Sequence, residues 1–183
     1  SRDIAALRLV KVNGAYRRPV VVARPADDPD LRRIAEALIG VETAGDALVV
    51  LRTPPGEASL LFDQGTAPAP EAAWINGTAA HALDYDDVLL GLGHTSTVLV
   101  PAILAEAQAL GASGAQMMLA YLVGYETWTE LQRRDANAYH IKGWHPTGIF
   151  GAIGAAAACA SLRGLSSEQA ASAIALGASQ SAG

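Results

Sequence analysis

Ser113-Gly-Ala-Gln116, followed by Met117-Met-Leu-Ala-Tyr-Leu-Val-Gly-Tyr-Glu126, is a helix start written out in sequence. A Ser in the cap position accepts the backbone N–H three residues on. A Gln at that third position reaches back to the N–H of the cap. The apolar run behind this pair predicts one long helix to about Gln132. Upstream, Gly111 ends a second helix, Thr97–Leu110, in which Pro101 is tolerated only in the first turn. Downstream, Thr147–Leu162 is a third, stopped near Gly164. Ser166-Ser-Glu-Gln169 repeats the capping box, with Leu165 placed as a staple, and starts a last helix toward Gly177.

Further upstream, Ala72, Ile75, Ala79 and Leu83 recur at helical spacing and predict a helix over Glu71–Leu83, after Pro70. Asp28 and Pro29 suit a helix start, and Leu31, Ile34, Ala35, Leu38 and Val41 mark one face as far as Gly45. Five to six helices with short connections make an all-α body. Residues 1–23 read differently. Leu7–Val12 alternates, Asn13-Gly14 is a two-residue turn signal, and Pro19–Val22 can return, so a β-hairpin appendage is expected ahead of a helical domain over residues 24–183. Ala47–Leu51 reads as a strand or a core loop, and Arg52–Pro70, with four prolines, as irregular.

Composition narrows the function. Hydrophobic residues are 51% of the chain but aromatics only 5%, so small side chains pack the helices closely. A net charge of −5 and the lack of a basic patch exclude a nucleic-acid partner. The single Cys159, in an alanine-rich run, reads as a small buried hydrophobe, not a nucleophile. Ile149–Leu162 falls short of the roughly 20 residues a bilayer requires, and because Arg2, Asp3, Arg8 and Lys11 interrupt any apolar run, no signal peptide is expected. A soluble, cytoplasmic protein is expected.

Chemistry concentrates in His81-Ala-Leu-Asp84-Tyr85-Asp86-Asp87-Val88, continuing through Gly93 to His94-Thr95-Ser96. His81, Asp84 and Asp87 recur every three residues, so a continuing helix would set them roughly on one face. Gly91 and Gly93 then break the chain and His94 opens the next helix. A histidine at such a start, beside an incoming carboxylate, makes a proton-transfer pair, and the free N–H groups suit a bound anion. Tyr139-His140-Ile-Lys142-Gly143-Trp144-His145-Pro146-Thr147-Gly148 repeats the form. The rhythm of Gly148, Gly151 and Gly154 matches no nucleotide loop and reads as close helix packing. The plain alternative is a solvated helix end, with Asp86 and Asp87 facing water and His145 a surface cap. Asp84, Asp86, Asp87 and His94 could ligate Mg²⁺ or Mn²⁺, but no EF-hand, His-x-x-x-His or Cys-x-x-Cys pattern accompanies them, so no metal is expected.

With these residues in view, the chain resembles the 2-methylcitrate dehydratase/cis-aconitate decarboxylase family, MmgE/PrpD. The resemblance rests on Asn76-Gly-Thr78, Ala80-His-Ala-Leu-Asp-Tyr-Asp-Asp87, Gly93-His94, Gly124-Tyr-Glu126, Gly143-Trp-His-Pro-Thr-Gly148 and Gly177-Ala-Ser-Gln-Ser-Ala-Gly183. It implies a large helical domain, normally joined to an α+β lid, in a homodimer. It also implies cofactor-independent lyase chemistry on small di- or tricarboxylates, with Asp84 and His94 matching the family's catalytic pair and His145 its second active-site histidine. Thr95, Ser96, Lys142 and Thr147, beside them, are the expected substrate-binding residues. Val88 stands where the family commonly has Thr, and Thr95 where it has Pro. The family's lysine-bearing segment and lid lie beyond this stretch, so the chain alone is expected to be inactive, with further chain or a second chain completing it. The alternatives are a non-catalytic helical subunit and an epimerase of an imino-dicarboxylate.

Overall fold

A computed structural model describes residues 19–23, 47–51, 54–61, 65–89, 93–134 and 138–182. Among the described residues the body is helical: α1 Ala69–His81, α2 Thr95–Leu110, α3 Gly114–Arg134, α4 Ala138–Ile141, α5 Pro146–Leu162 and α6 Ser167–Ser179. The five long helices are those the sequence predicts, with ends shifted by a residue or two. The single turn of α4 was not anticipated. The expected helix over 31–45 and the first limb of the expected hairpin, Leu7–Val12, lie outside the described residues. Its second limb is present as β1, Pro19–Ala23, which runs parallel to β2, Ala47–Leu51. Two very short strands, β3 Ala58–Ser59 and β4 Thr66–Ala67, pair antiparallel within the proline-rich segment.

Local chemistry accounts for the helix ends. Ser166 Oγ accepts the Gln169 N–H at 3.3 Å while Gln169 Oε1 accepts the Ser166 N–H at 3.0 Å. Ser113 and Gln116 close the same box at 3.4 and 2.8 Å. Gly111 and Gly164 take φ of 66° and 62°, where a side chain would strain. The turn they make lets Ala112 N–H reach the Ala107 carbonyl at 2.9 Å and Leu165 N–H the Ala160 carbonyl at 3.0 Å.

One expectation fails in α2. The helix starts at Thr95, so Pro101 lies in its second turn, not its first. Proline cannot supply the N–H that the Thr97 carbonyl would receive. That carbonyl instead faces Gly77 of α1, where a Cβ would come within 3.1 Å of its oxygen, and the Thr97 hydroxyl donates to the Gly77 carbonyl at 3.1 Å. The proline thus marks the place where α1 and α2 touch.

Small residues let the other helices meet backbone to backbone. A Cβ at Gly124 would lie 2.9 Å from the Gly154 oxygen, so α3 and α5 cross there. A Cβ at Gly177 would lie 2.7 Å from the Ala152 oxygen, which seats α6 on α5. This is the close packing expected of Gly154 and its neighbours. The core around the crossing holds Leu99, Ile103, Ala120, Ala158 and Leu162, and a second cluster of Leu89, Trp128 and Phe150 lies beside it. Burial pushes the Cys159 thiol up to about 11, with Glu106 adding to the effect, which leaves it an inert packing group. Among the described residues no helix is long and apolar enough to cross a membrane.

Candidate active site

Helix α1 stops at His81, and Asp84 takes a left-handed φ of 57°. The single helical face expected for His81, Asp84 and Asp87 therefore does not form. The three acids point to three destinations. Asp87 turns to the start of α2, where its carboxylate accepts the Thr95 hydroxyl at 2.8 Å and the Ser96 N–H at 3.0 Å. This satisfies helix-end groups and suits the positive end of the dipole. Asp86, 12% exposed, reaches between two histidines: its Oδ1 lies 2.9 Å from His81 Nδ1 and its Oδ2 3.2 Å from His94 Nδ1. Asp84, 45% exposed, places Oδ1 3.5 Å from His94 Nε2. The left-handed conformation is one that Asp tolerates better than most side chains, and it is what separates Asp84 from its two neighbours.

The second histidine junction meets the first. His145 caps α5, its Nδ1 accepting the Thr147 N–H at 3.2 Å, and the Thr147 hydroxyl accepts the His94 N–H at 2.8 Å. Pro146 occupies the first helical position, as its missing N–H allows. Gly93, at φ 87°, permits the approach, since a Cβ there would lie 3.2 Å from the Trp128 ring and 3.4 Å from Pro146. The ring of His94 stands 4.5 Å from that of His81 and 6.0 Å from that of His145, centroid to centroid.

These groups line a cleft of about 730 Å³ between α1, α2 and the two junctions, with Trp74 and Val98 on its apolar wall. Asp84, His94, His145 and Thr147, all named from sequence, come together there. Thr95, Ser96 and Lys142 do not line it. Thr95 is fully buried against Asp87, the Ser96 hydroxyl bonds the Tyr121 hydroxyl at 2.9 Å, and Lys142 is exposed beyond the cleft. His81, and Asp86 outside its weighing as a metal ligand, are not among the catalytic or substrate-binding residues expected from sequence. Their signal lay in the same His81–Asp87 run, but only the break in α1 tells Asp86 from Asp87.

Partial burial of the imidazole, on a residue otherwise exposed, holds His145 below its ordinary value, and His94 and His81 push in the same direction while Asp84 opposes them. His145 is therefore neutral near pH 7. With Nδ1 accepting the cap bond, its Nε2–H is the group available to a ligand. The sign for stability follows from linkage. Below the ordinary value of 6.5 the unfolded chain takes up a proton that folded His145 resists. This contribution is whole above that pH and lost as pH falls through the folded value. His145→Asn keeps a capping side chain and removes the titration. Between about pH 7.5 and 5.5 the unaltered protein should lose more thermal stability than this variant, and equal losses would refute the account.

The model of the MmgE/PrpD N-terminal domain matches residues 40–183. The chain belongs to the MmgE/PrpD family. Among its relatives, the cis-aconitate decarboxylase of Homo sapiens is 35% identical over 114 residues, 60% of this chain and 24% of that protein. The Mus musculus cis-aconitate decarboxylase is 36% identical over 104 residues, 54% of this chain and 21% of its own length. A cis-aconitate decarboxylase-like protein of Aspergillus oryzae is 34% identical over 121 residues, 61% of this chain and 25% of its own. The chain thus spans about a quarter or less of the curated relatives it matches. The cleft lies wholly within the stretch that the family model matches.

Proposed function

We propose that the cleft serves lyase chemistry on a small di- or tricarboxylate, with Asp84 and His94 moving a proton next to a substrate carboxylate. The observation that carries this reading is the 3.5 Å approach of Asp84 Oδ1 to His94 Nε2 on the cleft wall. That spacing is long for a hydrogen bond in the absence of substrate and is one a bound substrate would close. His145 Nε2–H and the Thr147 hydroxyl are donors for an anion. Decarboxylation of a cis-aconitate-like acid, the activity the relatives carry by name, fits these groups. A carboxylate leaves as CO₂, the electron pair it leaves behind shifts the double bond, and His94 supplies a proton to the far alkene carbon. Dehydration of a 2-methylcitrate-like acid is the neighbouring reaction: Asp84 or His94 removes a proton and a hydroxide leaves. Pairing with a second copy of the chain belongs to the same reading.

A tricarboxylate needs several charge-assisted bonds to offset its desolvation, yet among the described residues none that lines the cleft is Lys or Arg. The 183-residue chain should therefore bind cis-aconitate with a Kd of about 1 mM or weaker. Calorimetric titration reads this directly, and micromolar binding would show that the anion is held elsewhere. Turnover is tested on a longer form of the protein, by NMR with cis-aconitate, 2-methylcitrate, citrate and iminodisuccinate. CO₂ loss from cis-aconitate supports the decarboxylase reading, and water loss from 2-methylcitrate alone selects the dehydratase. Change in iminodisuccinate alone selects the epimerase. No conversion of any of them returns the site to a non-catalytic helical subunit.

A further inference from the structure

The grouping of His81, Asp84, Asp86 and His94 has a property that proton transfer does not use. Each residue offers one ligand atom, and the four atoms lie within 4.8 Å of one another. The closest of these separations are tighter. Asp86 Oδ2 lies 3.1 Å from His81 Nδ1 and 3.2 Å from His94 Nδ1. Four donors about 2.05 Å from one tetrahedral ion stand about 3.3 Å apart, so these two edges are close to those of a zinc site. Asp84 Oδ1, 4.0 Å from His81 Nδ1, is in reach as a fourth ligand after a small side-chain rotation.

His94 Nδ1 supplies an independent indication. It is buried and makes no hydrogen bond among the described residues, because the nearby Asp86 Oδ2 is not aligned with it. Buried nitrogens are normally paired, and an imidazole nitrogen 3.2 Å from a carboxylate oxygen but not aimed at it is placed as two ligands of one ion are. Two imidazoles with carboxylates favour zinc and its late transition-metal neighbours over Mg²⁺ and Ca²⁺, which prefer all-oxygen sets. His145 is not in this four-residue set; its ring forms a second grouping with His81 and His94, in which only its Nε2 is open, because its Nδ1 accepts the Thr147 N–H.

We infer that His81, Asp86 and His94, with Asp84 as fourth ligand, bind a late transition-metal dication such as Zn²⁺. The ion takes the place of the Nδ1 proton that His81 shares with Asp86, and that proton leaves to solvent. Bound there, the metal holds both imidazoles and both carboxylates and so blocks the proton transfer between Asp84 and His94. It acts as an inhibitor, not as a cofactor. Metal binding here stands on the donor geometry and would survive failure of the lyase reading, on which only the inhibitory effect rests.

The test is calorimetric titration of the 183-residue chain with ZnCl₂ in a non-coordinating buffer, beside MgCl₂. The expected result is one Zn²⁺ per chain at micromolar Kd and no Mg²⁺ binding. His81→Ala, His94→Ala and Asp86→Asn should each weaken zinc binding by about tenfold or more, while His140→Ala leaves it unchanged. Imidazole ¹⁵N NMR of the unaltered protein reads the same site without any variant: Zn²⁺ should shift the Nδ1 signals of His81 and His94. No saturable binding up to about 1 mM, undiminished binding in His81→Ala or His94→Ala, or shifts centred on His140 would each overturn the inference.

Discussion

In a form of the protein that turns over, His94→Ala and Asp84→Asn should each lower kcat by about 10²–10⁴-fold, the range typical of removing one group from general acid–base catalysis. Neither change should disturb the fold, for reasons visible in the structure. His94 occupies the cap position of α2, but its side chain makes no capping bond. Asp87 bonds the Thr95 hydroxyl and the Ser96 N–H in its place. Asp84 is 45% exposed, and its left-handed conformation, φ 57°, suits Asn as well as Asp. Asn keeps the shape and loses the negative charge and the ability to take a proton. Steady-state kinetics beside circular dichroism separates chemistry from folding. If both variants, folded, keep more than about a tenth of the activity, the pair is not the proton-transfer unit.

Trp128→Ala should cost about 3–5 kcal/mol of stability, the range for deleting a large core aromatic. Trp128 is fully buried, and its Nε1–H donates to Gln132 Oε1 at 3.0 Å. Truncation therefore opens a cavity and also removes the hydrogen bond from the indole to Gln132. The ring backs the positions at which Gly93, Gly151 and Gly154 approach, and Gly93 immediately precedes His94. The variant should accordingly weaken the seating of His94 as well as the fold. Denaturant unfolding reads the stability, and a change below about 1.5 kcal/mol would mean the core closes over the gap. Where the variant is folded, a displaced His94 ring signal in NMR reports the second effect.

The three variants depend on how far local chemistry and packing each shaped this site. The helices were legible because their ends are local. Ser113 with Gln116, Ser166 with Gln169, and the glycines at 111 and 164 satisfy backbone groups within one turn, so a few neighbouring residues suffice to place them. The histidine junctions were legible for the same reason, since Pro146 after His145 sets a helix start on its own. The MmgE/PrpD resemblance, carried by separated short motifs, pointed to Asp84, His94 and His145 as one site, and the structure places all three on one cleft.

The remainder depended on distant parts of the chain. Pro101 would be unfavourable in the second turn of an isolated helix, and it is accommodated where α1 brings Gly77 against the Thr97 carbonyl. The pairing of β1 with β2 joins segments more than twenty residues apart, which no hairpin rule foresees. The three acids differ least in sequence and most in space. Asp84, Asp86 and Asp87 are equivalent side chains within four positions, and the end of α1 at His81 together with the docking of α2 sends one to the cleft, one between two imidazoles and one to a helix cap. Thr95, equally plausible from sequence as a substrate contact, is fully buried against Asp87 by the same docking. Sequence alone determined the helices and the kinds of chemical group near their ends, because hydrogen bonds within one turn govern both. Which of those groups face the cleft was decided only by tertiary packing, because a carboxylate's role is set by the donors around it, and those donors come from other helices.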